Sequence, residues 1–182
     1  LPRQPESPPP MSRPTIVFDL DGTLIDTAPD LVRAVNHALG ETGIAAIELP
    51  LLKTGISRGA RHMIEHAVAQ RGEIRSAAEI DRMQAMLLEF YDRNIAVEST
   101  VYPGVVDALK LFARKGYRLA VCTNKLEAPS RKLLKALALD RHFQAIVGRD
   151  TLPVSKPDPG HLIGTVILAD GTLDRSLMVG DS

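Results

Sequence analysis

Tryptophan is absent from the chain, and aromatic residues make up only 4% of it. The stacked aromatic platforms that hold single-stranded nucleic acid are therefore not expected. Cysteine is limited to Cys122, which excludes an internal disulfide and fits a reducing compartment. An excess of either charge is missing as well: Lys+Arg and Asp+Glu stand at 22 each, so no long-range field draws the protein to nucleic acid or to an anionic membrane. No apolar run approaches the roughly 18 residues that a membrane-spanning helix needs. These absences predict a soluble, cytoplasmic protein, and 182 residues are enough to bury a full core as one domain or as one with a smaller inserted lobe.

The pattern begins after a proline-rich start. Residues 1–10 carry no apolar core of a signal peptide, and residues 1–14 are expected to form a disordered tail. Thr15-Ile16-Val17-Phe18 then reads as an interior strand, being short, apolar and β-branched. Thr27-Ala28-Pro29-Asp30 resembles a helix start with a capping-box pairing and an early proline. Leu31, Val35, Ala38 and Leu39 follow at helical spacing, up to Gly40 or Gly43. A second helix is expected over 59–70, and a third after Ser76 and Glu79 with Ile80, Met83, Leu87, Phe90 and Tyr91 on one face. Three helices with no strand signal between them predict a helical lobe over residues 28–97. From Tyr102-Pro103-Gly104 onward, helices near 104–115, 128–138 and 160–169 alternate with strands at 118–122, 145–147 and 176–179. That alternation predicts a doubly wound parallel α/β sheet, which the first strand must join.

Every predicted strand of this sheet ends in polar residues. The first runs into Asp19-Leu20-Asp21-Gly22-Thr23, and the second into Thr123-Asn124-Lys125. Ser155-Lys156-Pro157-Asp158-Pro159 follows the third, and Gly180-Asp181-Ser182 follows the fourth. Each cluster alone reads equally as a turn or a helix cap. In an open parallel sheet, however, the carboxyl ends of the strands are where ligands bind. Carboxylates suit Mg²⁺, which prefers oxygen ligands and works with substrate phosphate. A lysine and a hydroxyl can neutralise and position phosphoryl oxygens, and an aspartate can serve as nucleophile. The set reads as a phosphoryl-transfer site.

In order and spacing, these motifs resemble the haloacid dehalogenase (HAD) superfamily of Mg²⁺-dependent phosphatases from Thr15 to the last residue. Within it the chain is most similar to the phosphoglycolate phosphatases. That likeness rests on the run from Phe18 to Asp30, on Tyr102-Pro103-Gly104-Val105, Thr123-Asn124-Lys125 and Val147-Gly148-Arg149-Asp150, and on Lys156-Pro157-Asp158-Pro159. The resemblance implies a Rossmann-like core of residues 15–27 and 98–182 with an α-helical cap, 28–97, inserted in it. It implies that Asp19 is the nucleophile and a metal ligand. Asp21 then protonates the leaving alkoxide and activates the hydrolytic water, while its backbone carbonyl ligates the metal. Gly22, Thr123, Asn124 and Lys156 contact the phosphoryl group, Lys156 also bridging to the nucleophile, and Asp181 completes the Mg²⁺ site. The implied activity is hydrolysis of a small phosphate monoester, 2-phosphoglycolate first, by a monomer or homodimer. Cap residues near 55–61 are the candidates for leaving-group contacts, with Arg58 or Arg61 pairing a small carboxylate.

One departure stands out. The family continues beyond Gly-Asp-Ser to a further Asp, a helix and at least one more strand, so the resemblance implies a core whose C-terminal end is missing here. The sequence reads as a piece of a longer protein or as a truncated form, and apolar surface near Leu177 and Val179 is expected to lie exposed. The core motifs do not separate a phosphoglycolate phosphatase from a pyrophosphatase, a sugar-phosphate phosphatase or a phosphoglucomutase. A non-catalytic phosphate- or Mg²⁺-binding module is the reading from a different class.

Overall fold

The computed structural model describes residues 13–56 and 58–181. Most of the expected tail, residues 1–12, lies outside them. Pro14 already belongs to the sheet, its carbonyl accepting the Arg118 N–H at 2.8 Å. The first strand, β1 (Thr15–Phe18), is buried along its whole length. It lies in a four-stranded parallel sheet between β4 (Arg118–Cys122) and β6 (Ser176–Val179), and β5 (Ala145–Val147) pairs with the far side of β4. The central strand must be apolar on both faces because helices cover both. Ile16 and Phe18 join a cluster with Leu109, Val121 and Leu133 on one side. Val17 joins Ala120, Cys122 and Val166 on the other.

The connecting helices α5 (Val105–Arg114), α6 (Glu127–Ala136) and α7 (Pro159–Leu168) fall where alternation predicts them. Strand β6 is an edge of the sheet, and Leu177 and Val179 on it are 60% and 37% exposed. Among the described residues, no helix is long and apolar enough to cross a membrane.

Between β1 and the rest of the sheet come four helices rather than three: α1 (Ala28–Glu41), α2 (Leu49–Ile56), α3 (Ala60–Gln70) and α4 (Ala77–Arg93). Helix α2 escapes a periodicity reading because it is two turns long and has a proline in its first turn. The four helices share an apolar cluster of their own, built from residues such as Leu31, Val35, Leu39, Leu52, Ile64, Met83 and Leu87. Helix α4 starts with the expected capping box, the Ser76 hydroxyl accepting from the Glu79 N–H and the Glu79 carboxylate from the Ser76 N–H.

The chain leaves and re-enters the core through a two-stranded antiparallel ribbon, β2 (Ile25–Asp26) with β3 (Thr100–Val101). Two-residue strands carry no periodicity, so nothing in the sequence announces them. The capping box expected at Thr27 and Asp30 does not form. The Thr27 hydroxyl makes no cap hydrogen bond, and Asp30, 2% exposed, reaches across to the returning strand instead. Its carboxylate accepts from the N–H groups of Glu98 and Ser99 and from the Ser99 hydroxyl, at 2.7–3.1 Å. It also pairs with Arg33 at 2.9 Å. Asp30 therefore ties the first helical turn to the return segment, a linkage between residues 68 and 69 positions apart.

Burial works to raise the Asp30 pKa, but the Ser99, Glu98 and Arg33 donors outweigh it and hold it below the usual carboxylate range. Asp30→Asn should destabilise the protein by about 2–3 kcal/mol near neutral pH, because buried N–H donors lose a charged acceptor. A carboxyl with a depressed folded pKa contributes stability above its unfolded value of about 3.9 and loses it as pH falls through the folded one. Urea midpoints measured from pH 7 to pH 3 should therefore differ by a constant gap down to about pH 5, and the gap between wild type and Asp30→Asn should narrow progressively from about pH 4 downward. A gap that stays constant over that range would show that the Asp30 charge is not what the contact depends on.

Candidate active site

The last paired residues of the central strands, Phe18 with Val121 and Phe18 with Val179, bring the polar runs that follow to one edge of the sheet. The Asp19 N–H donates to the Val179 carbonyl at 2.8 Å, so this residue still belongs to the ladder while its side chain clears it. Only 6% of Asp19 is exposed. One carboxylate oxygen, Oδ1, accepts the Leu20 N–H at 2.7 Å, and Oδ2 accepts from Lys156 Nζ at 2.5 Å. Burial raises the Asp19 pKa against the opposing pull of Lys156.

Lys156 is held at its backbone. Its N–H donates to Nδ1 of the fully buried His161 at 3.2 Å. That assigns the ring proton to Nε2, which donates to the Gly148 carbonyl at 3.0 Å. His161 thus locks the loop after β5 to the start of α7 and sets where the lysine begins. Nδ1 also lies 3.4 Å from Cys122 Sγ at the end of β4.

Asp21 lies one turn further out and has a separate set of partners. The Thr27 hydroxyl donates to it at 2.7 Å, and Lys125 Nζ reaches its two oxygens at 3.0 and 3.2 Å. The Lys125 side chain is only 8% exposed. Its ammonium sits over the Tyr91 ring from α4, 4.6 Å from the centroid. Burial would lower the Lys125 pKa, but the Asp21 carboxylate, with Tyr91, keeps it above the ordinary lysine range. The sheet edge therefore carries two carboxylate–lysine pairs, Asp19 with Lys156 and Asp21 with Lys125.

Asp181 follows β6. Its Oδ1 accepts the Thr23 hydroxyl at 3.2 Å, and its carboxylate faces Gly22. Gly22 has φ +81, and a Cβ there would lie 2.5 Å from Asp181 Oδ2. The missing side chain lets the two loops meet. Asp19 and Asp181 leave adjacent strands at the same end, and the Asp21 carbonyl belongs to the loop between Asp19 and Gly22. These are hard oxygen donors that fit a small divalent cation completing its shell with water. Among the described residues, no three His, Cys, Asp or Glu side chains form a metal cluster. A site of two carboxylates and a main-chain carbonyl would not form one.

Asp19, Asp21, Thr123, Asn124, Lys125 and Lys156 line one cavity of about 320 Å³, closed from the helical side by residues such as Leu31, Met63, Leu87 and Tyr91. Thr123 is buried, its hydroxyl accepting the Lys125 N–H at 3.1 Å, so it shapes the turn after β4 rather than capping α6. Of the two cap arginines, Arg61 reaches the cavity but its guanidinium is engaged by Glu65 and Asp81. Arg58 lines a neighbouring hollow with Arg149 and Lys156. Residue 57, within the 55–61 stretch, lies outside the described residues. Lys125, Thr27, Tyr91 and His161 were not singled out by sequence reasoning as site residues. Lys125 had a usable signal, since it follows a buried strand within the Thr123-Asn124-Lys125 run. Thr27 and His161 lie within six residues of the groups they hold, but neither contact follows a periodic pattern, and Tyr91 meets Lys125 across 34 positions.

A family model of haloacid dehalogenase-like hydrolases matches residues 16–182. The chain is 50% identical over 172 residues to a phosphoglycolate phosphatase of Mesorhizobium japonicum, covering 94% of this chain and 76% of that protein. Its identity to a phosphoglycolate phosphatase of Agrobacterium fabrum is 42%, covering 93% of this chain and 72% of the relative. Among solved structures, a predicted phosphoglycolate phosphatase from Haemophilus somnus 129PT superposes with a TM-score of 0.85 at 29% identity. That match covers 93% of this chain and 77% of the other.

Two glycines give a paired test of the loop geometry. Gly22→Ala should cost about 1–2 kcal/mol, because it forces a left-handed φ on alanine and pushes against Asp181. Gly40 lies within α1 with nothing within 4 Å of an added Cβ, so Gly40→Ala should stabilise by about 0.5 kcal/mol. Urea unfolding of both variants checks the opposite signs.

Proposed function

The chain belongs to the haloacid dehalogenase-like hydrolases, and we propose that it hydrolyses 2-phosphoglycolate to glycolate and inorganic phosphate through a phosphoaspartate on Asp19. The observation that carries this reading is the buried Asp19 carboxylate facing a cavity with Lys156 Nζ 2.5 Å away. A carboxylate attacking an anionic ester meets charge repulsion, and a fixed ammonium beside both reactants reduces it. The names of the relatives support the choice of substrate.

In the first step an Asp19 oxygen forms a bond to phosphorus as the bond from phosphorus to the glycolate oxygen breaks. Asp21 delivers a proton to that departing oxygen, and glycolate leaves. In the second step Asp21, now a carboxylate, takes a proton from water as the water oxygen attacks phosphorus. The bond to Asp19 breaks, releasing phosphate and regenerating both side chains. Thr27 and Lys125 hold the Asp21 side chain for this work. Thr123 and Asn124, on the cavity wall, accommodate the phosphoryl oxygens. Asp19, Asp181 and the Asp21 carbonyl would hold Mg²⁺, which supplies charge neutralisation at the phosphoryl group. The helical lobe of residues 28–97 acts as a cap that excludes bulk water and selects the leaving group.

Phosphate release with Mg²⁺ should be fastest, by at least roughly tenfold, on phosphoglycolate in a panel with glucose 1-phosphate, glyceraldehyde 3-phosphate and pyrophosphate. Asp19→Asn should lower turnover by roughly a thousandfold or more. EDTA should abolish activity and Mg²⁺ restore it. Equal rates over the panel would remove the substrate assignment, and no release from any ester would remove the hydrolase reading.

A further inference from the structure

We infer that Lys125, together with the Tyr91 hydroxyl, is the receptor for a carboxylate on the leaving group, and so determines which phosphate esters this site accepts. The inference rests on the phosphatase reading and deepens it. It starts from the size of the leaving group. In an ester of a 2-hydroxy acid, the carboxylate is one methylene away from the bridging oxygen. The group that donates a proton to that oxygen lies within hydrogen-bonding distance of it. A cation that reads the carboxylate must therefore be a near neighbour of Asp21.

Lys125 meets that condition, its Nζ lying 3.0 and 3.2 Å from the two Asp21 oxygens on the wall of the same cavity. The other cations are less well placed. Lys156 stands beside the attacking Asp19, 2.5 Å away, at the phosphoryl end of the site rather than the leaving-group end. Arg61 is engaged by Glu65 and Asp81 on the helical lobe. Arg58 is exposed and lines the neighbouring hollow, and Arg149 is exposed where it meets the cavity.

A second observation points to the same wall. The Tyr91 hydroxyl is buried, and Tyr91 itself is only 3% exposed. An ammonium can only donate to it, so Lys125 leaves the hydroxyl proton without an acceptor, and a buried donor costs free energy unless a ligand satisfies it. Its ring lies under the Lys125 ammonium, so a cation and a neutral donor face the cavity side by side. Such a pair suits a carboxylate, which accepts both a charged and an uncharged hydrogen bond. Because Tyr91 comes from α4 and Lys125 from the sheet edge, a carboxylate held by both would also bridge the helical lobe to the core.

The test compares phosphoglycolate with ethyl phosphate, which keeps the phosphoryl group and chain length but lacks the carboxylate. In wild type, kcat/KM should favour phosphoglycolate at least tenfold, and in Lys125→Met that ratio should fall at least tenfold, mostly through KM for phosphoglycolate. Tyr91→Phe should lower the same ratio by about threefold to tenfold. If Lys125 only positions Asp21, both esters lose activity together and the ratio stays put, which overturns the inference. It is overturned equally if the ratio falls in Arg149→Ala and not in Lys125→Met. Should Lys125→Met fail to fold, Tyr91→Phe and Arg149→Ala decide: the ratio should fall in the first and hold in the second, and the reverse, or equal wild-type kcat/KM for the two esters, overturns the inference. Wild type inert toward both esters would instead remove the hydrolase reading, and this inference with it.

Discussion

The parallel pairing of β1 with a strand on each side is the constraint from which the site follows. A four-residue strand buried on both faces cannot exist alone, so its burial enforces the register that lines up Phe18 with Val121 and Val179. Once that register is set, the residues just past each strand have nowhere to go except one edge of the sheet. Asp19, Thr123 and Asp181 arrive there together although more than a hundred residues separate the first from the second. Polar side chains can be buried at that edge because the strand-end backbone and neighbouring loops supply donors, as the Leu20 N–H does for Asp19.

Charge is arranged there in two layers. The inner pair, Asp19 with Lys156, is fixed from behind by His161, a buried residue that touches neither partner's charged group but anchors the lysine's backbone. The outer pair, Asp21 with Lys125, is fixed by the Thr27 hydroxyl on the acid and by the Tyr91 ring beneath the ammonium. An unpaired charge at this depth would be costly, so each carboxylate needs its lysine whether or not a ligand is present. The same pairing leaves both carboxylates beside a positive group, which is the environment in which an anionic ester can approach them.

The helical lobe communicates with this edge through few contacts. The β2–β3 ribbon carries the chain out and back, Asp30 ties the two crossings together, and Tyr91 reaches from α4 to Lys125. Thr27 sits at the crossing and donates to Asp21 instead of capping α1. The group that would move protons is therefore hydrogen-bonded to the segment that joins the lobe to the core. A motion of the lobe would be felt first at Asp21.

Strand positions, the alternation of the second half and the placement of Asp19, Asp21, Thr123, Lys156 and Asp181 at one end of the sheet were legible in the sequence. Those features depend on local periodicity and on residues placed directly after apolar runs. The capping box at Ser76 was legible for the same reason, since both partners lie within one turn. The role of Thr27 was misread, because a hydroxyl at a helix start can satisfy its own helix backbone or a carboxylate in the preceding loop, and only the fold of that loop decides. Helix α2, the β2–β3 ribbon and the Asp30 linkage left no trace, being either too short for a period or made across 68 positions. Sequence alone determined that this chain forms a parallel α/β sheet with acids and a lysine after its strands, because burial dictates where apolar runs must go. Tertiary structure alone decided that Lys125 faces Asp21 and that Tyr91 packs against that lysine, because such contacts depend on distances between elements that no local pattern encodes.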